Sequence, residues 1–231
     1  MRYKITLISD THNKHRLVTP DLPGGDVLIH AGDISSMGYE YEIRNFCQWF
    51  SGFDNYTHKI FIAGNHDWGF EDNVTKVKEI LSLYPEIEYL QDDMFVLGDD
   101  YQTALKIYGS PWQPRFYNWA FNADRGEDIK QYWDKIPNDI DILITHGPAY
   151  GFLDRVNDKG KSLGCEELTK AIERINPSIH VCGHIHSGNG YEKHNLTHMF
   201  NAAVLDEGYT YNYPPKSFEW DSKTNEINFE L

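Results

Sequence analysis

Basic residues are scarce in this chain. Its 231 residues hold 21 Lys and Arg against 35 Asp and Glu, a formal charge of −14 with histidine neutral. A surface that acidic repels nucleic-acid backbones and anionic membranes, which sets aside a general DNA-binding protein and a nuclease with a basic groove. It does not exclude a phosphate substrate, because bound metal ions invert the local field. Cysteine is nearly missing as well. Cys47, Cys165 and Cys182 stand far apart with no C-x-x-C pair; that excludes a ribbon-type zinc site and a disulfide framework, and suits a reducing compartment. No apolar run approaches membrane-spanning length. The opening Met1-Arg2-Tyr3-Lys4 leads to a short apolar run ending at Ser9-Asp10, too short for a signal-peptide core and without a small-residue cleavage site. A cytoplasmic location is therefore expected, with no membrane partner and no stable nucleic-acid partner. The N-x-[ST] triplets beginning at Asn55, Asn73 and Asn195 are then chance matches.

Apolar residues suffice for one substantial core, and a single domain over residues 1–231 is expected. Short runs rich in Ile and Val recur at Ile5–Ile8, Val27–Ile29, Lys59–Ala63, Leu105–Tyr108, Ile140–Ile144, Ile179–Val181 and Met199–Val204. Their length and composition predict buried strands. Amphipathic stretches at Glu40–Phe50, Asn73–Leu83 and Glu166–Ile175 predict helices between them. Strands alternating with helices make an α/β architecture. Residues Gly109 to Asp128 read as a long aromatic loop, followed by a helix from about Asp124 with Glu127 in capping-box position. The alternating Phe218–Phe229 segment predicts edge strands or a hairpin.

The side chains able to bind metal fall just after the predicted strands. They are Asp10-Thr11-His12, Gly32-Asp33, Gly64-Asn65-His66-Asp67, His146-Gly147 and Gly183-His184-Ile185-His186. Open α/β sheets place their sites beyond the carboxyl ends of strands, where loops distant in sequence converge. Asp, Asn and His are oxygen and nitrogen ligands for ions such as Mn, Fe, Zn or Mg, and Co or Ni fit the same donors. Each fragment alone is a weak signal. All five in one order, each after a strand, are hard to produce by packing alone.

In these five motifs the chain resembles the calcineurin-like metallophosphoesterase superfamily. It is further similar to a metallophosphodiesterase-domain branch through Gly109-Ser110-Pro111-Trp112, Trp119-Ala120-Phe121-Asn122, Thr145-His146-Gly147-Pro148, Gly164-Cys165 and Asn201-Ala202. The resemblance implies a four-layer sandwich, two central mixed β-sheets flanked by helices. It implies two divalent ions, with Mn²⁺ favoured for assays in vitro. Asp10, His12, Asp33 and His186 would hold one ion, and Asp33, Asn65, His146 and His184 the other, with Asp33 bridging. Some vertebrate members of the branch have glycine at the position of His184; this chain keeps the histidine, so a fully occupied pair is implied. His66 would stand beside the substrate phosphate as the proton donor to the leaving group, oriented by Asp67. The implied activity is hydrolysis of small phosphodiesters, 2′,3′- or 3′,5′-cyclic nucleotides among them, by attack of a metal-bridging hydroxide on phosphorus.

Other residues keep two readings at this point. His30 fits a hydrogen bond behind the ligands as well as a place in the core. Trp112, Phe116 and Trp119 either flank the metal mouth or form the satellite core of the loop. Asp206-Glu207 is a further cation site or, more simply, a solvated acidic turn. Arg16, Arg115, Arg125 and Arg155 are the isolated cations that could face a substrate. A phosphomonoesterase or protein phosphatase with the same metals, and a scaffold that kept only the fold, stand as alternatives. Oligomeric state is not legible.

Overall fold

A computed structural model describes residues 1–156 and 160–229. Its centre is two six-stranded sheets. From edge to edge the first contains Glu226–Asn228, Lys216–Asp221, Arg2–Ile8, Gly25–His30, Tyr56–Phe61 and Glu88–Tyr89. The last four run parallel and the first two join antiparallel. The second contains Gly190–His194, Thr197–Asn201, Ile179–Cys182, Ile142–Thr145, Leu105–Ser110 and Asp93–Leu97. Here the inner four are parallel and both edges antiparallel.

Alternation along the strands sorts side chains to the two faces of each sheet. Ile5, Leu7, Val27, Ile29 and Ile60 meet Ile107, Ile142, Ile144, Val181 and Phe200 in a core between the sheets. The residues between them point outward. Ile8, Leu28 and Phe61 pack under Phe46 and Phe50 of helix Glu40–Ser51 and Ile80 of helix Val74–Leu81. Tyr108, Leu143 and Met199 pack under Trp133 of helix Glu127–Trp133 and Ile172 of helix Glu166–Ile175. The result is four layers, helix, sheet, sheet, helix, as the resemblance implied. Burial on both faces is why the central strands read as unbroken apolar runs. Deleting one such Leu or Ile side chain to alanine costs roughly 2–5 kcal/mol. None of the described helices is long and apolar enough to cross a membrane.

Two local expectations need correction. The helix expected from Asp124 begins at Glu127, its cap is Gly126 with φ +85°, and no side chain caps it. The capping-box reading of Glu127 fails because Asp128 supplies the carboxylate, accepting the Asp124 N–H at 2.7 Å. The aromatic loop contains a two-residue parallel pairing, Gln113–Pro114 with Asn122–Ala123. The C-terminal hairpin is present, and its first strand lies inside the sheet against Arg2–Ile8.

Parallel strands from both sheets end at the same seam. Ser9 bridges Ala203 in parallel, the Asp10 N–H donates to Gly32 O at 3.0 Å, and the Gly183 N–H donates to His146 O at 2.9 Å. Loops carrying four of the motifs are thereby stitched into one surface, and the His66 N–H, donating to Asp33 Oδ1 at 2.8 Å, ties in the fifth.

Candidate metal centre

At this seam the backbone turns sharply. Asp10, His12, Asp33 and His184 have φ of +55°, +40°, +54° and +66°. Left-handed conformations cost non-glycine residues on the order of 1–3 kcal/mol and persist only where the surroundings fix them. The fixing contacts are carboxylates reaching to other loops. Both Asp10 oxygens accept from the His184 N–H at 3.0 Å, and Asp33 Oδ1 accepts from the His66 N–H at 2.8 Å. Close approach explains two of the glycines. A Cβ at Gly64 would lie 2.3 Å from Asp33 Oδ1, and one at Gly183 would lie 2.0 Å from Asp10 Oδ2.

Asp33 stands between two groups of donors. On one side, His12 Nε2 is 3.5 Å from Asp33 Oδ2, and His186 Nε2 is 3.4 Å from Asp10 Oδ1. On the other, His146 Nε2 is 3.4 Å from Asp33 Oδ2 and 3.0 Å from Asn65 Oδ1; His184 Nδ1 is 2.8 Å from the same amide oxygen. Ligand-competent atoms of Asp10, His12 and His186, and those of Asp10, Asp33 and His146, lie within 4.8 Å of one another. All seven residues expected as ligands are thus brought together.

The donors fit divalent ions. His146 Nδ1 lies 2.9 Å from Ala31 O and His186 Nδ1 lies 2.9 Å from Asp206 O. A carbonyl oxygen only accepts, so these nitrogens donate, and in the neutral rings Nε2 keeps a lone pair aimed at a carboxylate. A cation between them resolves that opposition. His12 is buried with neither ring nitrogen in a hydrogen bond, an orphaned donor set that a metal would satisfy. Asp10, His12, Asp33 and His186 would hold one ion, and Asp33, Asn65, His146 and His184 the other.

Without a cation, protons compensate the same charges. Burial presses both rings downward, yet the Asp33 carboxylate lifts His146 to about 9 and Asp10 lifts His186 to about 9. Burial likewise raises the two carboxyls, but His186 holds Asp10, and His146 holds Asp33, below the ordinary carboxylate range. Burial keeps His12 near 4 and His184 near 3.

His66 flanks the cluster, with a ring nitrogen within 4.8 Å of ligand-competent atoms of His12 and Asp33. Its Nδ1 lies 2.8 Å from Ser36 O, its ring stacks on Trp119 at 4.1 Å, and its edge meets His12 at 4.6 Å. The orienting role expected of Asp67 is corrected. Asp67 is buried, and its carboxylate accepts from Ile34 N, Ser35 N, Ser35 Oγ and Gly64 N. It ties the loop of Asp33 to the loop of Asn65, while Ser36 O and Trp119 hold the His66 ring. Burial and the Asp33 charge raise the Asp67 carboxyl to about 7. His30 reaches the site through Thr11, whose Oγ1 lies 2.9 Å from His30 Nε2.

A cavity of about 310 Å³ opens over the cluster, lined by Asp33, Asn65, His66, His184 and His186 together with Pro114, Phe116, Pro148, Leu163 and Ile185. Of the aromatic candidates, Phe116 is at the mouth, 5.5 Å from His184. Trp112 is not. It stacks on Tyr132 at 3.8 Å and donates to Asp92 at 3.1 Å, as part of the satellite core. Trp119 backs His66 and does not line this cavity. Asp206 forms a turn, its Oδ1 accepting from Gly208 N and Thr210 N at 2.9 Å, so the solvated-turn reading holds. This turn places Glu207 on the cavity wall together with Tyr209, which sequence reasoning missed. No motif marks Tyr209, which reaches the ligands through the turn's hydrogen bond to His186 and through ring contacts with His12 and His186.

Comparison with known proteins identifies the family and the fold. The family model for calcineurin-like phosphoesterases matches residues 3–188. Metallophosphoesterase domain-containing protein 1 of Homo sapiens is 39% identical over 233 residues, covering 92% of this chain and 68% of that protein. Probable rhamnogalacturonate lyase C of Emericella nidulans is 34% identical over 194 residues, covering 82% of this chain and 18% of its own length. The crystal structure of TT1561 from Thermus thermophilus shares the fold, with a TM-score of 0.63 at 13% identity over 99% of this chain and 98% of that one. The chain belongs to the calcineurin-like phosphoesterase family.

Proposed function

We propose that this metallophosphoesterase hydrolyses small phosphodiesters, with 2′,3′- or 3′,5′-cyclic nucleotides as leading substrates. The observation that carries the reading is Asp33 between two complete donor groups at the floor of a small cavity. Its volume, about 310 Å³, lies at the low end of ligand pockets, roughly 300–1,000 Å³, which favours a small ester over a polymer or a folded protein. Its walls favour a diester over a monoester. A terminal phosphate dianion calls for additional cations, but the two arginines on the wall are engaged. Arg115 pairs with Asp124 at 2.5 Å, and Arg125 donates to Leu163 O, Gly164 O and Glu166. Pro114, Phe116, Pro148 and Leu163 offer apolar surface to a sugar or base.

Two divalent ions, Mn²⁺ in the first instance, would acidify water and offset phosphate charge there. The protein's own part in the chemistry centres on His66. Because Nδ1 donates to Ser36 O, proton exchange with a substrate runs through Nε2. Protonated at Nε2, the ring donates to the departing alkoxide, a contribution of about 10²–10⁴-fold. Trp119 and Ser36 fix the plane of the ring, so the donor is aimed before the substrate arrives.

The test is a rate comparison on metal-stripped protein reloaded with Mn²⁺. The substrates are bis-p-nitrophenyl phosphate, p-nitrophenyl phosphate and the two cyclic nucleotide isomers, with Asp33→Asn as the control for contamination. Diesters are expected to outpace the monoester. A faster monoester would move the reading to a phosphomonoesterase, and no turnover with both ions bound would favour a scaffold.

A further inference from the structure

The Asp206–Thr210 turn does two things at once. Its Asp206 carbonyl accepts from His186 Nδ1 at 2.9 Å and from the Tyr209 N–H at 2.8 Å. A turn that only closed a loop would not have to meet a metal ligand. Tyr209 itself is held with φ +57°, a conformation that a side chain of its size adopts only under constraint. The constraint comes from both sides. Asp206 Oδ1 accepts from Gly208 N and Thr210 N at 2.9 Å, and Lys14 Nζ, from the loop just after His12, donates to Tyr209 O at 2.5 Å. So fixed, the Tyr209 ring stands nearly perpendicular to His12 at 4.8 Å and to His186 at 5.3 Å. It lines the cavity and remains 41% exposed, so a ligand can reach it.

A phosphate at this centre brings oxygens that need donors. Arg115 and Arg125 are committed elsewhere, as described above, and Glu207 on the same turn repels an anion. The Tyr209 hydroxyl has no hydrogen-bond partner among the described residues. We propose that Tyr209 binds substrate, its hydroxyl donating a hydrogen bond to a non-bridging oxygen of the phosphate group held beside His12 and His186. The proposal rests on the phosphoester reading of the site, and not on diesters being the preferred class.

The experiment compares wild type, Tyr209→Phe and Tyr209→Leu, each loaded with Mn²⁺, by calorimetric titration with inorganic phosphate and by kcat/KM on bis-p-nitrophenyl phosphate. Tyr209→Phe keeps the ring against both imidazoles, so two bound ions and an unchanged melting temperature are expected. Phosphate affinity and kcat/KM should each fall about tenfold, the usual size for one hydrogen bond to a charged group. Tyr209→Leu removes the ring as well and should also weaken metal retention. Wild-type phosphate affinity in Tyr209→Phe would overturn the proposal whatever the kinetics show. Weaker phosphate binding in a protein that hydrolyses no diester would leave Tyr209 in place and refute the diesterase reading. Absence of phosphate binding by the loaded wild type would overturn both.

Discussion

The Trp119 ring lies on the ring of His66, with centroids 4.1 Å apart and planes inclined by 28°. That stack and the Ser36 carbonyl leave the imidazole little freedom to turn. His66→Ala should therefore bind two ions normally and lose about 10²–10⁴-fold on an alkyl diester, where the leaving alkoxide needs a proton. On a nitrophenyl ester, whose leaving group departs without help, the loss should be small. Rates on both substrates decide the matter, and equal losses would remove the acid role. Trp119→Ala should show a weaker form of the same pattern, because it loosens the donor without deleting it.

Asp33 is the only carboxylate here within 3.5 Å of an imidazole from each donor group, His12 on one side and His146 on the other, among the described residues. Asp33→Asn keeps the shape and removes the charge. It should lower the content of both ions together, measured by elemental analysis after dialysis against a weak chelator. Asp10→Asn should chiefly release the ion shared by His12 and His186. A normal two-metal content in Asp33→Asn would rule out the bridging position.

Much of this was legible because the governing signals are local. Buried parallel strands advertise themselves as apolar runs, and Asp10, Asp33, Asn65, His146, His184 and His186 each follow such a run directly. The misreadings arose where a role depends on where a side chain reaches. Asp67 adjoins His66 in sequence, but its carboxylate turns back to Ile34, Ser35 and Gly64. Trp112 and Phe116 are similar in composition and position, and the short pairing of Gln113–Pro114 with Asn122–Ala123 sends one inward and the other to the mouth. Tyr209 was invisible because its importance comes from a turn packed on His12 and His186, both distant in sequence. The edge strands Asp93–Leu97 and Gly190–His194 were missed for other reasons: Gly190–His194 is partly exposed and carries few apolar residues, whereas Met94–Leu97 is an apolar run that was passed over between acidic neighbours.

The two aromatics separate a substrate wall from a packing role. Phe116→Ala should raise KM for a cyclic nucleotide several-fold and leave the melting temperature nearly unchanged, since the side chain is exposed and its loss creates no cavity. Trp112→Ala should do the reverse. It deletes a half-buried ring stacked on Tyr132 and a hydrogen bond to Asp92, at a cost of about 2–3 kcal/mol, below the range for a fully buried ring. Thermal unfolding and steady-state kinetics on both variants would show whether the effects divide this way. A large KM change in Trp112→Ala at unchanged stability would put that ring back at the substrate.

His15 offers a stability prediction away from the chemistry. Its ring is buried against Trp49 and Phe46, and neither nitrogen has a hydrogen-bond partner. Burial first, then the nearby Arg16 charge, lowers its pKa from 6.5 to about 4. The folded state therefore keeps the ring neutral, while the unfolded chain takes up a proton below about 6.5. Stability from this residue is full above about 6.5 and is lost as pH falls toward about 4, by on the order of 3 kcal/mol. His15→Phe fills the same space with no polar atoms to desolvate. It should be more stable than wild type by about 1 kcal/mol at pH 7, and its advantage should widen at pH 5. Melting temperatures of chelator-treated protein at both pH values provide the measurement. A gap between variant and wild type that does not change with pH would mean that the acid sensitivity lies elsewhere, and a less stable variant would mean that the His15 nitrogens are hydrogen-bonded through buried water.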